Sequence, residues 1–222
     1  MKVLDKHIKQ YQIFAATIVS ALTTFILSVV GDKFKDKTVS NVITTVVVVI
    51  LSYILGKLFE TIIENSKIIR KTLLGDDFIE GYWYDEAKDM NHVTLYCIKF
   101  KNDSYMVEGE SFNEMGKSFS TWKSEVSIYD SDSRILYINY RLYTNNPLKP
   151  LELGILNLNF AGSPTTSNTG FYCDHTSNIK STIQGIKLTD EEIETFGNFI
   201  DRKEKGRFIV EKLSQNQIVN HS

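Results

Sequence analysis

The chain has 222 residues, 42% of them hydrophobic, and a formal net charge of −2 at pH 7, which is an ordinary composition for a globular protein. The charges are unevenly distributed, because residues 1–75 contain ten Lys and Arg against five Asp and Glu, whereas residues 76–222 contain fifteen against twenty-two. An acidic surface disfavours non-specific binding of nucleic acid, so the second part argues against a nucleic-acid polymer as partner. The imbalance indicates two segments in different environments.

The sequence contains no motif for catalysis or metal binding. The two cysteines, Cys97 and Cys173, have neither the spacing of metal ligands nor that of a redox pair, and the four histidines are scattered. A glycine-rich phosphate loop and a GxSxG nucleophile elbow are also missing. We therefore expect no catalytic residue, no metal and no cofactor, and we expect both cysteines to be buried thiols in a reducing compartment.

Two uncharged runs lie near the N-terminus. Gln10–Gly31 has 22 residues and Thr38–Gly56 has 19, so each is long enough to cross the ~30 Å hydrocarbon core of a bilayer as a helix. Nine consecutive β-branched residues, Val42–Ile50, favour a strand in water. In lipid the backbone must satisfy its own hydrogen bonds, which favours a helix. The sequence predicts a transmembrane hairpin over residues 1–56, with spans at about 11–30 and 39–56.

Charged residues beside the spans predict their orientation. The two outer flanks carry seven Lys and Arg, and the connecting loop carries three. Since these residues concentrate on the cytoplasmic side, both termini are expected in the cytoplasm. Two alternatives fit less well: a buried hairpin of a soluble protein would have a polar face, and a signal peptide would have a shorter apolar region with a cleavage site.

Small side chains recur at every fourth position of the two spans, and residues four apart share one face of a helix. Such a stripe lets helix backbones approach closely in lipid. The stripes are expected to pack the two spans of one hairpin together or to pack spans of different subunits. Their members are Ala16, Ser20, Thr24 and Ser28 in the first span, and Ser52 and Gly56 in the second.

From Phe78 onward, polar and apolar residues alternate. Eight strand-like segments follow one another, separated by short turn-rich links such as "DSDS" and "AGSPTTSNT". Eight antiparallel strands close into a small barrel whose interior fits side chains or one small ligand. We therefore expect a membrane-anchored all-β protein with a cytosolic eight-stranded barrel over residues 76–188, and a β-sandwich is the alternative.

Helical segments are expected on both sides of the strands. Residues 57–75 continue the second span as a stalk helix or linker. After the last strand, Thr189 and Glu192 form a capping box, which predicts a helix from Asp190 toward Ile200. Residues 189–222 are thus assigned to a C-terminal helix and tail.

Alternation also assigns the faces of the strands. In the segment 118–129, the inward set is predicted to be Trp122, Ser124, Val126 and Ile128. Buried polar groups need partners, so the polar inward residues are either satisfied inside the barrel or completed by a ligand, with Trp122 as a stacking surface. These polar residues are Ser124, Tyr140, Tyr172 and Asp174. An anionic ligand would also need a cation, for which Arg141, Lys180 and Lys187 are the candidates.

Three short matches accompany this architecture: "EGYWYD" on the first strand, "YMVEGES" on the third and "STWKSE" on the fourth. With two N-terminal spans, a short stalk and a compact eight-strand domain, nearly the whole chain resembles the two-transmembrane, β-strand-rich effectors associated with CD-NTase enzymes in bacterial CBASS antiphage operons. This resemblance implies that the cytosolic barrel senses a cyclic dinucleotide. It further implies that self-association of the spans then disrupts the inner membrane and kills the infected cell.

The motif Gly81-Tyr82-Trp83 supports a second interpretation. A G-x-W motif near the start of an eight-stranded barrel resembles the lipocalin pattern, in which the Trp packs at one end of the barrel. The alternative function is therefore a membrane-tethered carrier or sensor of a small apolar ligand. An enzyme on a membrane anchor is the weakest hypothesis, since no acid–base pair, nucleophile or metal cluster stands out.

Overall fold

The β-branched run Val42–Ile50 is helical. It lies inside helix α1 (Lys37–Asn65), and a single residue, Ser66, separates α1 from helix α2 (Lys67–Leu74). The strand propensity of these side chains therefore does not determine their secondary structure.

The structure is a computed structural model that describes residues 17, 18, 20–22, 24, 25, 28, 37–87, 92–102, 104–144, 152–175, 178–198 and 204–211. The chain divides into two compact units, Met1–Leu74 and Gly75–Ser222. In the first unit, all described residues between 17 and 28 are helical. Most of the predicted first span, including Ala16, lies outside the described residues.

In the part of the chain that the structure describes, one helical stretch is long and apolar enough to cross a membrane, Thr45–Asn65. The two-helix hairpin is not established by these residues. The surface of α1 nevertheless exposes many large apolar side chains, among them Val42, Val46, Val49, Tyr53 and Leu58.

The junction between α1 and α2 has its own hydrogen bonds. The Ser66 hydroxyl accepts a hydrogen bond from the Ile69 N–H (3.3 Å), as a helix N-cap does. The Arg70 guanidinium donates to the carbonyl oxygens of Ile63 and Glu64, each at 2.7 Å. Because the last carbonyls of a helix have no partner within it, Arg70 satisfies the end of α1. Residues 57–65 thus continue α1, and α2 follows after Ser66.

The second unit contains a closed barrel of eight antiparallel strands in the order in which they occur in the chain. This confirms the predicted barrel and excludes the sandwich. The strands are β1 (Gly81–Ala87), β2 (His92–Lys101), β3 (Ser104–Asn113), β4 (Ser118–Asp130), β5 (Ile135–Thr144), β6 (Glu152–Ala161), β7 (Ser167–Asp174) and β8 (Ile179–Lys187). Since β8 pairs with β1, the barrel leaves no strand edge unpaired.

Strand β4 contains a β-bulge that changes which side chains face the lumen. Ser124 pairs with Tyr140, but Val126 pairs with Asn139, so that Glu125 is an extra residue. One extra residue moves all following side chains to the opposite face. The prediction that Val126 and Ile128 point inward is therefore wrong: they are 54% and 64% exposed, while Tyr129 is 4% exposed.

A second apolar core lies on the outside of the barrel, over β1, β2 and β3. It joins these strands to helix α3 (Asp190–Asn198) and to the helical residues 204–211, and its buried members are Tyr84, Val93, Leu95, Phe112, Leu188 and Ile209. The predicted capping box is present, because the Glu192 N–H donates to the Thr189 hydroxyl (3.2 Å) and the Thr189 N–H donates to the Glu192 carboxylate (2.8 Å).

The barrel is closed at the end where β1 begins. Trp83 is fully buried there, and its indole N–H donates to the Ile79 carbonyl (2.8 Å). The Lys187 ammonium donates to the Phe78 carbonyl (2.8 Å) and lies over the Phe78 and Trp83 rings. These contacts fill the lumen at the closed end of the barrel.

Candidate ligand-binding site

A cavity of about 240 Å³ occupies the part of the barrel near the end of β1 and the start of β2. Its lining reaches Glu152, the first residue of β6, and Asp174, the last residue of β7. The cavity therefore extends to the rim opposite the closed end. Its size is just below the ~300–1,000 Å³ of pockets that enclose a drug-sized ligand, so it fits a small ligand or one part of a larger one.

Four of the six residues predicted to bind ligand line this cavity: Trp122, Tyr140, Tyr172 and Asp174. They come from β4, β5 and β7, and the barrel brings them together because each occupies an inward position. The interpretation of the alternation on these strands therefore located one wall of the cavity correctly. Whether these residues bind a ligand remains a prediction.

Ser124 and Arg141 do not line the cavity. The Ser124 hydroxyl accepts a hydrogen bond from the Val107 N–H (2.9 Å), so this inward polar group is satisfied by the barrel itself. Arg141 lies on the outer face of β5, where its guanidinium pairs with the Glu125 carboxylate at 2.8 Å. This ion pair holds Arg141 outside the cavity, on the surface of the barrel.

The Trp122 ring is held in place on several sides. A Cβ added at Gly109 would lie 2.3 Å from the ring, so any larger residue at this position would displace the indole. The centroids of the Tyr96 and Tyr140 rings lie 5.9 Å and 5.6 Å from that of Trp122. These distances are typical of aromatic pairs, so the cavity has a rigid aromatic wall.

Tyr140 and Asp174 form a polar pair at the rim. The Tyr140 hydroxyl donates a hydrogen bond to Asp174 Oδ1. A Cβ at Gly154 would come within 2.4 Å of the Tyr140 hydroxyl, so Gly154 makes room for this pair. Burial, together with the hydrogen bond to Asp174, raises the pKa of Tyr140. Burial also raises the pKa of Asp174, although the hydrogen bond from Tyr140 opposes that shift.

The opposite wall carries polar residues that the sequence interpretation missed. Asp85 pairs with Thr94, Thr94 with Ser111 and Ser111 with Ser120, so one inward row crosses four neighbouring strands. All four line the cavity, and each is at most 7% exposed. The only local signal was the alternation Trp83, Asp85, Ala87 on β1. Recognising the row requires the pairing between strands, which no single segment shows.

The lining is acidic and aromatic. It contains the carboxyl groups of Asp85, Glu152 and Asp174, and among the described residues that line the cavity none is Lys or Arg. His92 is the one basic side chain in this lining, and burial lowers its pKa, which favours the neutral imidazole. Lys180 is exposed and Lys187 lies at the closed end. A phosphate inside the cavity would therefore meet carboxyl groups without a compensating cation.

No protein-family model matches the chain, and a comparison with curated proteins finds no match. Within the described residues, no group of three or more His, Cys, Asp or Glu side chains is placed to hold a metal ion. Cys97 and Cys173 are not joined in a disulfide, and both are half-buried. What the chain binds is therefore inferred from the chemistry of the cavity.

Proposed function

We propose that the chain is a membrane-anchored effector whose barrel senses a cyclic dinucleotide. The observation that carries this proposal is a cavity lined by the aromatic side chains of Trp122, Tyr140 and Tyr172, in a barrel that follows an apolar helix of membrane-spanning length. Stacking on aromatic side chains is the usual way in which proteins hold a base, and it contributes about 1–3 kcal/mol per base.

The anchor belongs to the same proposal. Helix α1 exposes large apolar side chains along much of its length, including Val49 (63%) and Tyr53 (69%). A helix with this surface is stable in lipid and would aggregate in water. We propose that it is one of two spans in the bacterial inner membrane, with both chain termini in the cytoplasm. The barrel would then encounter a cytosolic second messenger.

The output of the effector is proposed to be self-association of the spans. Thr24 and Ser52 donate hydrogen bonds to the carbonyls of Ser20 (3.0 Å) and Val48 (2.8 Å) in their own helices. Their hydroxyls are thus engaged within the helix, and what the small stripes offer to a neighbouring helix is close approach. A ligand that brings barrels together would raise the local concentration of spans, and the resulting homo-oligomer would disrupt the membrane in an antiphage response.

A second candidate is the carrier of a small apolar ligand. It is favoured by the apolar part of the lining, which includes Leu142, Leu156, Ile179 and Ile183. The acidic and hydroxyl side chains of the opposite wall do not suit such a ligand, because they would lose contact with water without gaining partners. The cyclic dinucleotide is therefore the better candidate.

Calorimetry on the full chain in nanodiscs, with a panel of cyclic dinucleotides, tests this function. We expect one member to bind, and we expect Trp122→Ala and Tyr140→Ala to weaken its binding at least tenfold, because each removes a stacking surface. Tyr137→Ala is the matched control: Tyr137 lies on the outer face of the same strand, 43% exposed, and its loss should change nothing. Binding of a fatty acid or retinoid, with no binding of any cyclic dinucleotide, would instead establish the carrier.

A further inference from the structure

The polar row Asp85–Thr94–Ser111–Ser120 is a continuous feature of the lumen. Its four side chains occupy paired positions on β1, β2, β3 and β4, so they form one edge along the cavity wall. Thr94 and Ser111 are within hydrogen-bond distance of each other (3.1 Å), while Asp85 and Ser120 stand at the two ends of the row. Side chains directly opposite on adjacent strands are close neighbours, which makes the row a single surface.

Ser120 adds a hydroxyl without a described hydrogen-bond partner to the end of the row. Ser120 is 2% exposed and lines the cavity. Its hydroxyl has no hydrogen-bond partner among the residues that the structure describes. Buried polar groups without partners are rare in proteins, because losing contact with water costs about 1–3 kcal/mol per group. A ligand that supplies a donor or acceptor in the cavity would satisfy this hydroxyl.

Asp85 gives the row a neutral acid at one end. Asp85 is 4% exposed. Burial raises the pKa of its carboxyl group to about 8, so this group is mainly protonated at neutral pH. A protonated carboxyl group both donates and accepts a hydrogen bond. The hydroxyls of Thr94, Ser111 and Ser120 can do the same, so the whole row is uncharged and has both donors and acceptors.

We propose that this row recognises the hydrogen-bonding edge of one uncharged nucleobase, whose ring lies inside the cavity against the aromatic wall while the charged phosphates remain outside. The inference rests on the proposed function and specifies its ligand. The edge of a base carries donors and acceptors side by side, and carboxyl, amide and hydroxyl side chains are its usual partners. Cavity size agrees, because the cavity is slightly too small for a whole drug-sized ligand.

The lining explains why only the base would enter. Phosphates bind where Lys, Arg or backbone N–H groups surround them. The described lining contains no Lys or Arg, and it includes the carboxyl groups of Glu152 and Asp174 near the rim. A phosphate in the cavity would lose its hydration without gaining a cation, whereas a neutral ring gains both stacking and hydrogen bonds.

Variants of Asp85 and Ser120 test the proposal in the full chain, with the cyclic dinucleotide panel and with adenosine, guanosine, cytidine and uridine as single-base probes. We expect Asp85→Leu to weaken binding more than tenfold and Ser120→Ala to weaken it about three- to tenfold, because each substitution removes a hydrogen-bonding group from the polar row. Asp85→Asn should bind within about threefold of the parent, because an amide also donates and accepts. Thr121→Ala, on the outer face beside Ser120, is the matched control and should bind as the parent does.

The possible results separate this proposal from the proposed function. If the parent binds a cyclic dinucleotide and Asp85→Leu and Ser120→Ala bind it equally well, the row does not recognise the base, although the sensor stands. If no cyclic dinucleotide binds, the proposed sensor function is wrong. Binding of a nucleoside by the parent that is lost in Asp85→Leu would still support recognition of a base by the polar row. Absence of nucleoside binding as well would overturn both. Tight binding of tetraethylammonium that both Asp85 variants abolish would also contradict the proposal, because the row would then hold a cation.

Discussion

Asp85 is the residue whose burial has the clearest effect on stability. Its pKa rises from 3.8 in the unfolded chain to about 8 in the barrel, since burial disfavours the carboxylate. Between pH 3.8 and about pH 8, the Asp85 carboxyl group is protonated in the folded state and ionised in the unfolded state. The contribution of Asp85 to stability is therefore greatest below about pH 4, falls as pH rises toward 8, and levels off above it. The slope reaches about 1.4 kcal/mol per pH unit.

We predict that Asp85→Asn removes this pH dependence. Asp174 shifts the slope in the same direction as Asp85, because its pKa is also raised, whereas the lowered pKa of His92 opposes it near pH 6.5. The difference between variant and parent isolates Asp85 from both. The stability of the variant relative to the parent should increase by on the order of 3 kcal/mol between pH 5 and pH 8. Denaturant unfolding at several pH values measures this, and a constant difference would show that the Asp85 carboxyl group is ionised in the fold.

The strands show how far an interpretation of alternation can reach. Eight strands, the capping box at Thr189 and the inward positions of Tyr140 and Asp174 follow from local patterns of apolar, polar and turn residues. The bulge at Glu125 does not, because Val126 and Ile128 fit an unbroken inward pattern and the extra residue has no distinctive side chain. The polar row was also missed, since it exists only once non-local pairing places four strands side by side.

The bulge makes a prediction about strand β4. Val126→Lys and Ile128→Lys together should change the free energy of unfolding by less than about 1 kcal/mol, because both side chains already face solvent. Ile138→Lys is the control on the neighbouring strand: Ile138 is 2% exposed, so a lysine there should cost about 4 kcal/mol or more. Thermal unfolding of the three proteins compares them. Loss of the fold in the double variant would mean that β4 is unbulged and that both residues face the lumen.

At the scale of the whole molecule, the proposed function requires a ligand-binding barrel and a membrane anchor in one chain. The barrel is largely predictable from sequence, because local patterns of apolar, polar and turn residues indicate its core, its turns and its helix cap. Hydropathy predicts apolar helices near the N-terminus, and the described residues contain one helix long and apolar enough to cross a membrane. The assembly is not predictable in this way, because helix association in lipid depends on close fit between surfaces and not on hydrophobicity.

The stripe of the first span tests this assembly. Ser20→Leu with Thr24→Leu should leave insertion and ligand binding intact, since leucine is stable in lipid, but should abolish ligand-dependent membrane leakage by preventing close approach. Thr17→Leu with Ala21→Leu is the matched control, because it places two leucines four residues apart on a neighbouring face of the same helix. Leakage from the stripe variant at the level of the parent would show that this face does not pack between subunits.

Dye release from liposomes that contain the full chain tests the central claim most directly. Each cyclic dinucleotide of the panel is supplied on both sides of the membrane, so that the orientation of the inserted chain does not matter. We predict release with the dinucleotide that binds, loss of release in Trp122→Ala, and undiminished release in Tyr137→Ala. If the inserted parent binds the dinucleotide and the vesicles stay intact, or if they leak equally without any ligand, then the chain is not a membrane effector gated by a cyclic dinucleotide.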